Sequence, residues 1–107
     1  MSSFKRRGES FEKQFVLDEE QKFKALVRRN KLLGLWAAEK LGLTGTEAAE
    51  YAKEVIKADF SEPGDEDVFR KVQEDFAAKG VDQSEHQIRR TMEEMMVTAA
   101  EQIQDES

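Results

Sequence analysis

From residue 32 the run Leu32-Leu33-Gly34-Leu35-Trp36-Ala37-Ala38 leaves a helix almost no polar side. A helix that is apolar nearly all round needs neighbours on several faces, so this run points to a fold in which one helix is wrapped by others. The stretch from Asp18 to Leu41 reads as that helix. Asp18 can cap it, Glu19 and Glu20 suit its positive N-terminal end, and Gly42 stands where a left-handed residue closes a helix. Phe23, Leu26, Val27, Asn30, Leu33, Gly34, Ala37 and Leu41 are expected to line one face, with Leu32, Leu35 and Trp36 adding apolar surface on the other. A second reading leaves Leu32, Leu35 and Trp36 as an exposed docking patch for an adaptor.

Three further segments carry the helical period. Thr44-Gly45-Thr46-Glu47 has the spacing of a capping box. It opens a helix over about 45–59 whose small face, Ala48, Ala49, Ala52, Val55 and Ile56, lets another backbone come close, with Tyr51 at its edge. Ser61 to Asp67 holds the chain's sole Pro-Gly break, and its acidic residues suit the start of a helix that ends at Gly80 and buries Val68, Phe69, Val72 and Phe76. Asp82-Gln83-Ser84-Glu85 resembles another capping-box start. Beyond it Ile88, Met92, Met95, Met96, Ala99 and Ile103 form an amphipathic stripe. At 107 residues the chain suits one domain. The prediction is an all-α four-helix bundle over residues 18–107, preceded by a flexible segment, 1–17.

That segment is aromatic for its length. Phe4, position 8, Phe11 and Phe15 follow i, i+4, i+7 and i+11, one stripe of a helix, although position 8 is Gly, which costs about 1 kcal/mol relative to Ala. A segment with these rings and too few neighbours to fold alone keeps them for a partner. Charge is also split unevenly along the chain. Residues 1–33 hold nine Lys/Arg against five Asp/Glu, whereas residues 34–107 hold eight against eighteen. A basic arm on an acidic body suggests an arm that seeks an acidic surface.

Recognisable catalytic chemistry is sparse. With no Cys, disulfides and thiolate metal sites are excluded. His86, the only histidine, lies about 200° around the helix from Ile88 and is expected to face solvent. Asp65-Glu66-Asp67 lacks the alternation of a calcium loop and reads as helix N-terminal charge. Met92, Met95 and Met96 fall at core spacing, and no phosphate loop, dinucleotide fingerprint or serine elbow occurs. Lys5-Arg6-Arg7 and Arg28-Arg29-Asn30-Lys31 have no accompanying nucleic-acid reading motif, and the acidic body would repel a duplex. No apolar run approaches the length of a membrane span, and the N-terminus lacks a signal peptide's apolar core. The expectation is a cytoplasmic protein, monomeric when free, without enzymatic activity, cofactor, metal, nucleic-acid partner or direct membrane insertion.

Several blocks resemble a known family. Phe4-x-x-Arg7, Phe11-Glu12-x-x-Phe15, the run Arg29-Asn30-Lys31-Leu32-Leu33-Gly34-Leu35-Trp36-Ala37-Ala38-Glu39, Tyr51-Ala52-Lys53-Glu54-Val55 and Gly64-Asp65-Glu66-Asp67-Val68 look like the α-proteobacterial zeta subunit of the F-type ATP synthase. The resemblance spans nearly the whole chain and implies a four-helix bundle with a mobile N-terminal segment. The resemblance further implies that this segment becomes helical between the catalytic subunits and the central rotor and blocks ATP hydrolysis. Such a protein would be peripheral at the inner membrane through the synthase. Phe4, Phe11 and Phe15 would be its anchors, Arg7 with Lys5 and Arg6 would pair with acidic residues of the cleft, and Glu12 belongs to the same motif. The chain departs from the family pattern at Gly8, where an acidic residue usually follows the matching arginine, and its tip is more basic.

Overall fold

A computed structural model describes residues 16–60 and 64–106, and among them the fold is four α-helices with no strand. They are α1 (Glu19–Lys40), α2 (Gly45–Ala58), α3 (Glu66–Lys79) and α4 (Glu85–Glu106). The all-α, four-helix expectation holds.

Each helix boundary has a local cause. At α1 the Asp18 carboxylate accepts from the Gln21 amide at 2.7 Å, and the Gln21 side chain accepts from the Asp18 amide at 3.0 Å, a reciprocal capping box. α1 closes over Gly42, at φ +81°, with the Leu43 amide donating to the Ala38 carbonyl at 2.9 Å. α3 closes the same way over Gly80, at φ +72°, with the Val81 amide on the Phe76 carbonyl at 2.8 Å. In both closures the residue after the glycine, Leu43 or Val81, packs on the core. The glycine turns the chain and its neighbour fastens the turn.

Two expected caps differ. Thr44 is the N-cap of α2, but its side chain makes no capping hydrogen bond, so the box predicted with Glu47 does not form. α4 starts on a box two residues later than expected. The Gln87 amide donates to Ser84 Oγ at 3.1 Å and the Ser84 amide to Gln87 Oε1 at 3.1 Å, which leaves Asp82 and Glu85 out of the reciprocal pair.

α1 is the hub. It makes its most extensive contacts with α2 and α4, while α3 closes the bundle against the other three. Gly34 decides how close α2 can come. A methyl group there would lie 2.6 Å from the Ala52 Cα, so the two backbones meet where both residues are small. The core is Leu33, Val55, Val68, Val72, Phe76 and Ile88, none more than 1% exposed, with Trp36 edge-on to Phe76 at 5.6 Å. Each such side chain contributes roughly 1.5–3 kcal/mol by leaving water. The predicted stripe of α3 is buried in full, and Ile88, Met92, Ala99 and Ile103 hold α4.

Other predicted core positions move outward. Phe23 is 53% exposed and is not a core residue. It sits more than a turn beyond the small-residue crossing, where the neighbour it reaches is Phe60. Ala49 faces solvent and Met95 and Met96 are only half-buried, while Tyr51, expected at the edge of α2, is buried. Pro63 lies outside the described residues.

Candidate functional site

The residues singled out as an inhibitory segment, Phe4, Lys5, Arg6, Arg7, Phe11, Glu12 and Phe15, all lie outside the described residues. The region from which they depart is described. It comprises Val16, the capped start of α1 and the side chains around the first three turns of that helix.

Acidic residues occupy the first turn of α1, as its dipole favours. Glu19 pairs with Lys22 at 3.5 Å and Glu20 with Lys24 at 3.6 Å. Both pairs are exposed and contribute little to stability, but they leave the charge around this end of the helix locally balanced. Between them Phe23 projects and stacks on Phe60, from the turn after α2, with ring centroids 6.2 Å apart and planes 24° apart. Neither ring is buried. Val16, Phe23 and Phe60 are 78%, 53% and 61% exposed, the most open large apolar side chains among the described residues.

Nearly two turns further along, the attachment of α1 becomes polar and buried. Arg29 Nε donates to Asn30 Oδ1 at 2.7 Å and its Nη2 to Asp65 at 2.8 Å, while Asn30 Nδ2 donates to Asp59 at 2.9 Å. Arg29 and Asn30 are almost fully buried. A buried guanidinium needs its charge matched, and Asp65 supplies the match from the start of α3. This chain of bonds ties α1 to both ends of the α2–α3 connection. On the far side Arg28 binds Gln102 and, at 2.9 Å, Glu106 of α4.

A cavity of about 260 Å³ opens beside this network, lined by Arg29, Asp65, Arg89, Met92, Glu93 and Met96. Its two guanidinium groups are already engaged. Arg29 holds Asp65, and Arg89 lies over the Phe69 ring at 4.0 Å while binding Glu66 at 3.1 Å and Glu85 at 2.9 Å. At the other end of α1, Tyr51 donates to Asp75 at 2.8 Å. Burial first, and then this bond, push its phenol well above the ordinary tyrosine value. Lys71 bridges Asp75 at 2.8 Å and Glu54 at 3.1 Å; burial opposes its charge, but the two carboxylates outweigh burial and raise its pKa.

Leu32, Leu35 and Trp36, the alternative patch, are mostly covered. Leu35 is 38% exposed, and Leu32 and Trp36 are half-buried. The open apolar surface therefore lies at the opposite end of α1 from the one that reading chose. Sequence reasoning missed Arg29 and Phe60. Arg29 falls four residues after the buried Ala25 and four before Leu33, so the stripe spacing was a usable signal, although an arginine there reads as surface until Asp65 is known to meet it. Phe60, isolated just after α2, gave no periodic signal.

No group of His, Asp or Glu side chains able to hold a metal ion occurs among the described residues, and no helix among them is long and apolar enough to cross a membrane. Comparison with known proteins identifies relatives. The model of a family described as ATPase inhibitor subunit zeta matches residues 1–102. A structure solved by solution NMR is 51% identical, with a TM-score of 0.71, over 80% of this chain and 98% of its own. No curated protein matches the chain.

Proposed function

The chain belongs to the ATPase inhibitor subunit zeta family, and from that membership we propose that it inhibits ATP hydrolysis by the F-type ATP synthase by inserting residues 1–17 as a helix between the catalytic subunits and the rotor. The observation that carries the reading is the reach of the family match, which begins at residue 1 and includes Phe4, Lys5, Arg6, Arg7, Phe11, Glu12 and Phe15. The bundle supports it, because its buried core runs from Ala25 to Ile103. The buried side chains among the described residues thus all lie C-terminal to the segment.

The physical basis is differential binding. A rotary motor turning in the hydrolytic sense opens and closes clefts between its subunits, and a helix held in one of them stabilises that rotary state over the next. Phe4, Phe11 and Phe15 are the buried anchors, and Arg7, assisted by Lys5 and Arg6, pairs with carboxylates of the cleft. Ordering the segment on binding costs free energy, so affinity follows helix propensity. The bundle remains outside as the stop. In this reading the protein is peripheral at the inner membrane, is monomeric when free and acts on the synthase without chemistry of its own.

Adding the purified protein to the matching synthase, with hydrolysis and synthesis measured separately, tests the proposal. Deleting residues 1–17 is expected to abolish inhibition while the remaining bundle keeps its helicity and thermal transition. Gly8→Ala, which removes a helix penalty of about 1 kcal/mol, is expected to tighten inhibition up to about fivefold. Undiminished inhibition by the truncated chain would refute the insertion mechanism.

A further inference from the structure

Two phenylalanines from separate parts of the chain have been brought together and left in water. Phe23 and Phe60 stack with centroids 6.2 Å apart, yet both stay more than half exposed. The other described aromatic residues are covered: Tyr51, Phe69 and Phe76 are buried, and Trp36 is half-buried against Phe76. Stacking alone leaves the outer faces of both rings hydrated, and a stacked aromatic pair with balanced charges around it has the composition of an interface anchor with a polar rim. Glu19, Lys22, Glu20 and Lys24 provide that rim in two pairs.

The position of the pair identifies what covers it. Val16, itself 78% exposed, is joined directly to the segment assigned to the synthase cleft. Three residues of extended chain and four of helix separate Val16 from Phe23, which at about 3.3 and 1.5 Å per residue is no more than about 16 Å. A partner that grips the chain up to residue 15 therefore comes within about 20 Å of Phe23.

Resting on the insertion reading above, we propose that Phe23, Phe60 and Val16 form a second docking surface that seats the bundle on an apolar rim at the mouth of the cleft entered by residues 1–15. The wedge supplies selectivity for one rotary state. The aromatic pair adds affinity and fixes the bundle's orientation at the entrance, so that the two contacts act as a linked pair with a high effective concentration. The partner surface is apolar, because the side chains left most open here are two rings and a valine, and the nearest charges of the first turn, Glu19 with Lys22 and Glu20 with Lys24, are paired with each other.

Phe60→Ser and Phe23→Ser in the full chain, measured for binding to the matching synthase and for inhibition, are each expected to weaken Kd about five- to tenfold. Their thermal transitions should stay within a few degrees of the parent, and Leu35→Ser should bind like the parent. The deletion of residues 1–17 is run beside them. If the deletion abolishes inhibition while both serine variants bind like the parent, the docking surface is wrong and insertion stands. If the deletion leaves inhibition intact, insertion is wrong and the docking surface loses its premise. Sedimentation in which Phe60→Ser converts a dimer to a monomer, without changing synthase affinity, would assign the patch to a second copy and overturn the proposal. Ring resonances of Phe23 and Phe60 that shift in the free protein when residues 1–15 are removed would assign it to the chain's own segment, with the same consequence.

Discussion

In its C-terminal half α1 buries Leu33, Gly34, Ala37 and Ala38, and α2 approaches so closely that Gly34 has no room for a methyl group. In its N-terminal half the buried residues are Ala25, Arg29 and Asn30, the last two held by carboxylates from the α2–α3 connection, and Phe23 is open to water. The same helix is thus core at one end and stalk at the other. Apolar packing is tolerant in direction but strict in volume, whereas a buried guanidinium accepts few geometries. The polar half therefore fixes where the first turn of α1 points without covering it.

The largest effect should come from Phe76, which packs against the core half of α1, set against Phe23 at its other end. Phe76, 1% exposed beneath Trp36, is expected to cost about 3–5 kcal/mol on replacement by Ala. Phe23→Ala should cost less than about 1 kcal/mol, because half of its ring is already hydrated. Urea unfolding followed by circular dichroism measures both, and similar losses would erase the distinction between core and stalk. Asn30→Ala comes next. It removes the acceptor of Arg29 Nε and the donor to Asp59 in a site where Asn30 is 1% exposed, which should cost about 1–3 kcal/mol. A loss near zero would mean that water replaces the amide and that the stalk is looser than its hydrogen bonds imply.

Reading the sequence was most successful where burial follows period. Val68, Phe69, Val72 and Phe76 on α3, and the Gly42 and Gly80 closures, follow from spacing and from the left-handed backbone that glycine supplies. It failed where the third dimension chooses between equivalent positions. Phe23 and Leu33 stand on neighbouring lines of one helix, and only the place where α2 crosses decides that one is covered. Thr44 had the letters of a capping box without its hydrogen bond, and Ser84 with Gln87 had the bond two residues from where it was expected. The segment proposed to insert was legible only as a stripe of aromatics, Phe4, Phe11 and Phe15, at helical spacing. Its stem, Phe23 on Phe60, was not, because that contact joins residues 37 positions apart with no shared period.

A smaller effect belongs to Gly34. Gly34→Ala places a carbon 2.6 Å from the Ala52 Cα and 3.1 Å from its Cβ, so α2 must shift. Overpacking of this kind costs about 1–3 kcal/mol, while the gain in helix propensity returns about 1. The expected net loss of about 1 kcal/mol, with Phe23 and Phe60 resonances unmoved, would place the strain wholly in the core half. Displacement of those resonances would show the two halves to be mechanically linked.

The smallest effect at neutral pH, and the most specific in alkali, should come from Tyr51→Phe. Asp75 keeps its 2.8 Å bond to Lys71 when the hydroxyl is removed, so stability at neutral pH should change by no more than about 1 kcal/mol. The folded phenol titrates above its unfolded value because burial, then the bond to Asp75 and the nearby Glu54, disfavour the phenolate. A group whose folded pKa is raised contributes stability that is complete below the unfolded value, about 10 for tyrosine, and is lost as pH rises beyond it. Lys71 is also raised and acts in the same direction, but it remains in the variant. The parent's Tm should therefore fall more steeply than that of Tyr51→Phe above about pH 10. Since Tyr51 is the only tyrosine, tyrosinate absorbance reports this residue alone, and it should appear together with the loss of helical signal. Tyrosinate formed while the helices remain intact would show that this end of α1 admits water, and the contrast between a dry half and a polar one would fail there.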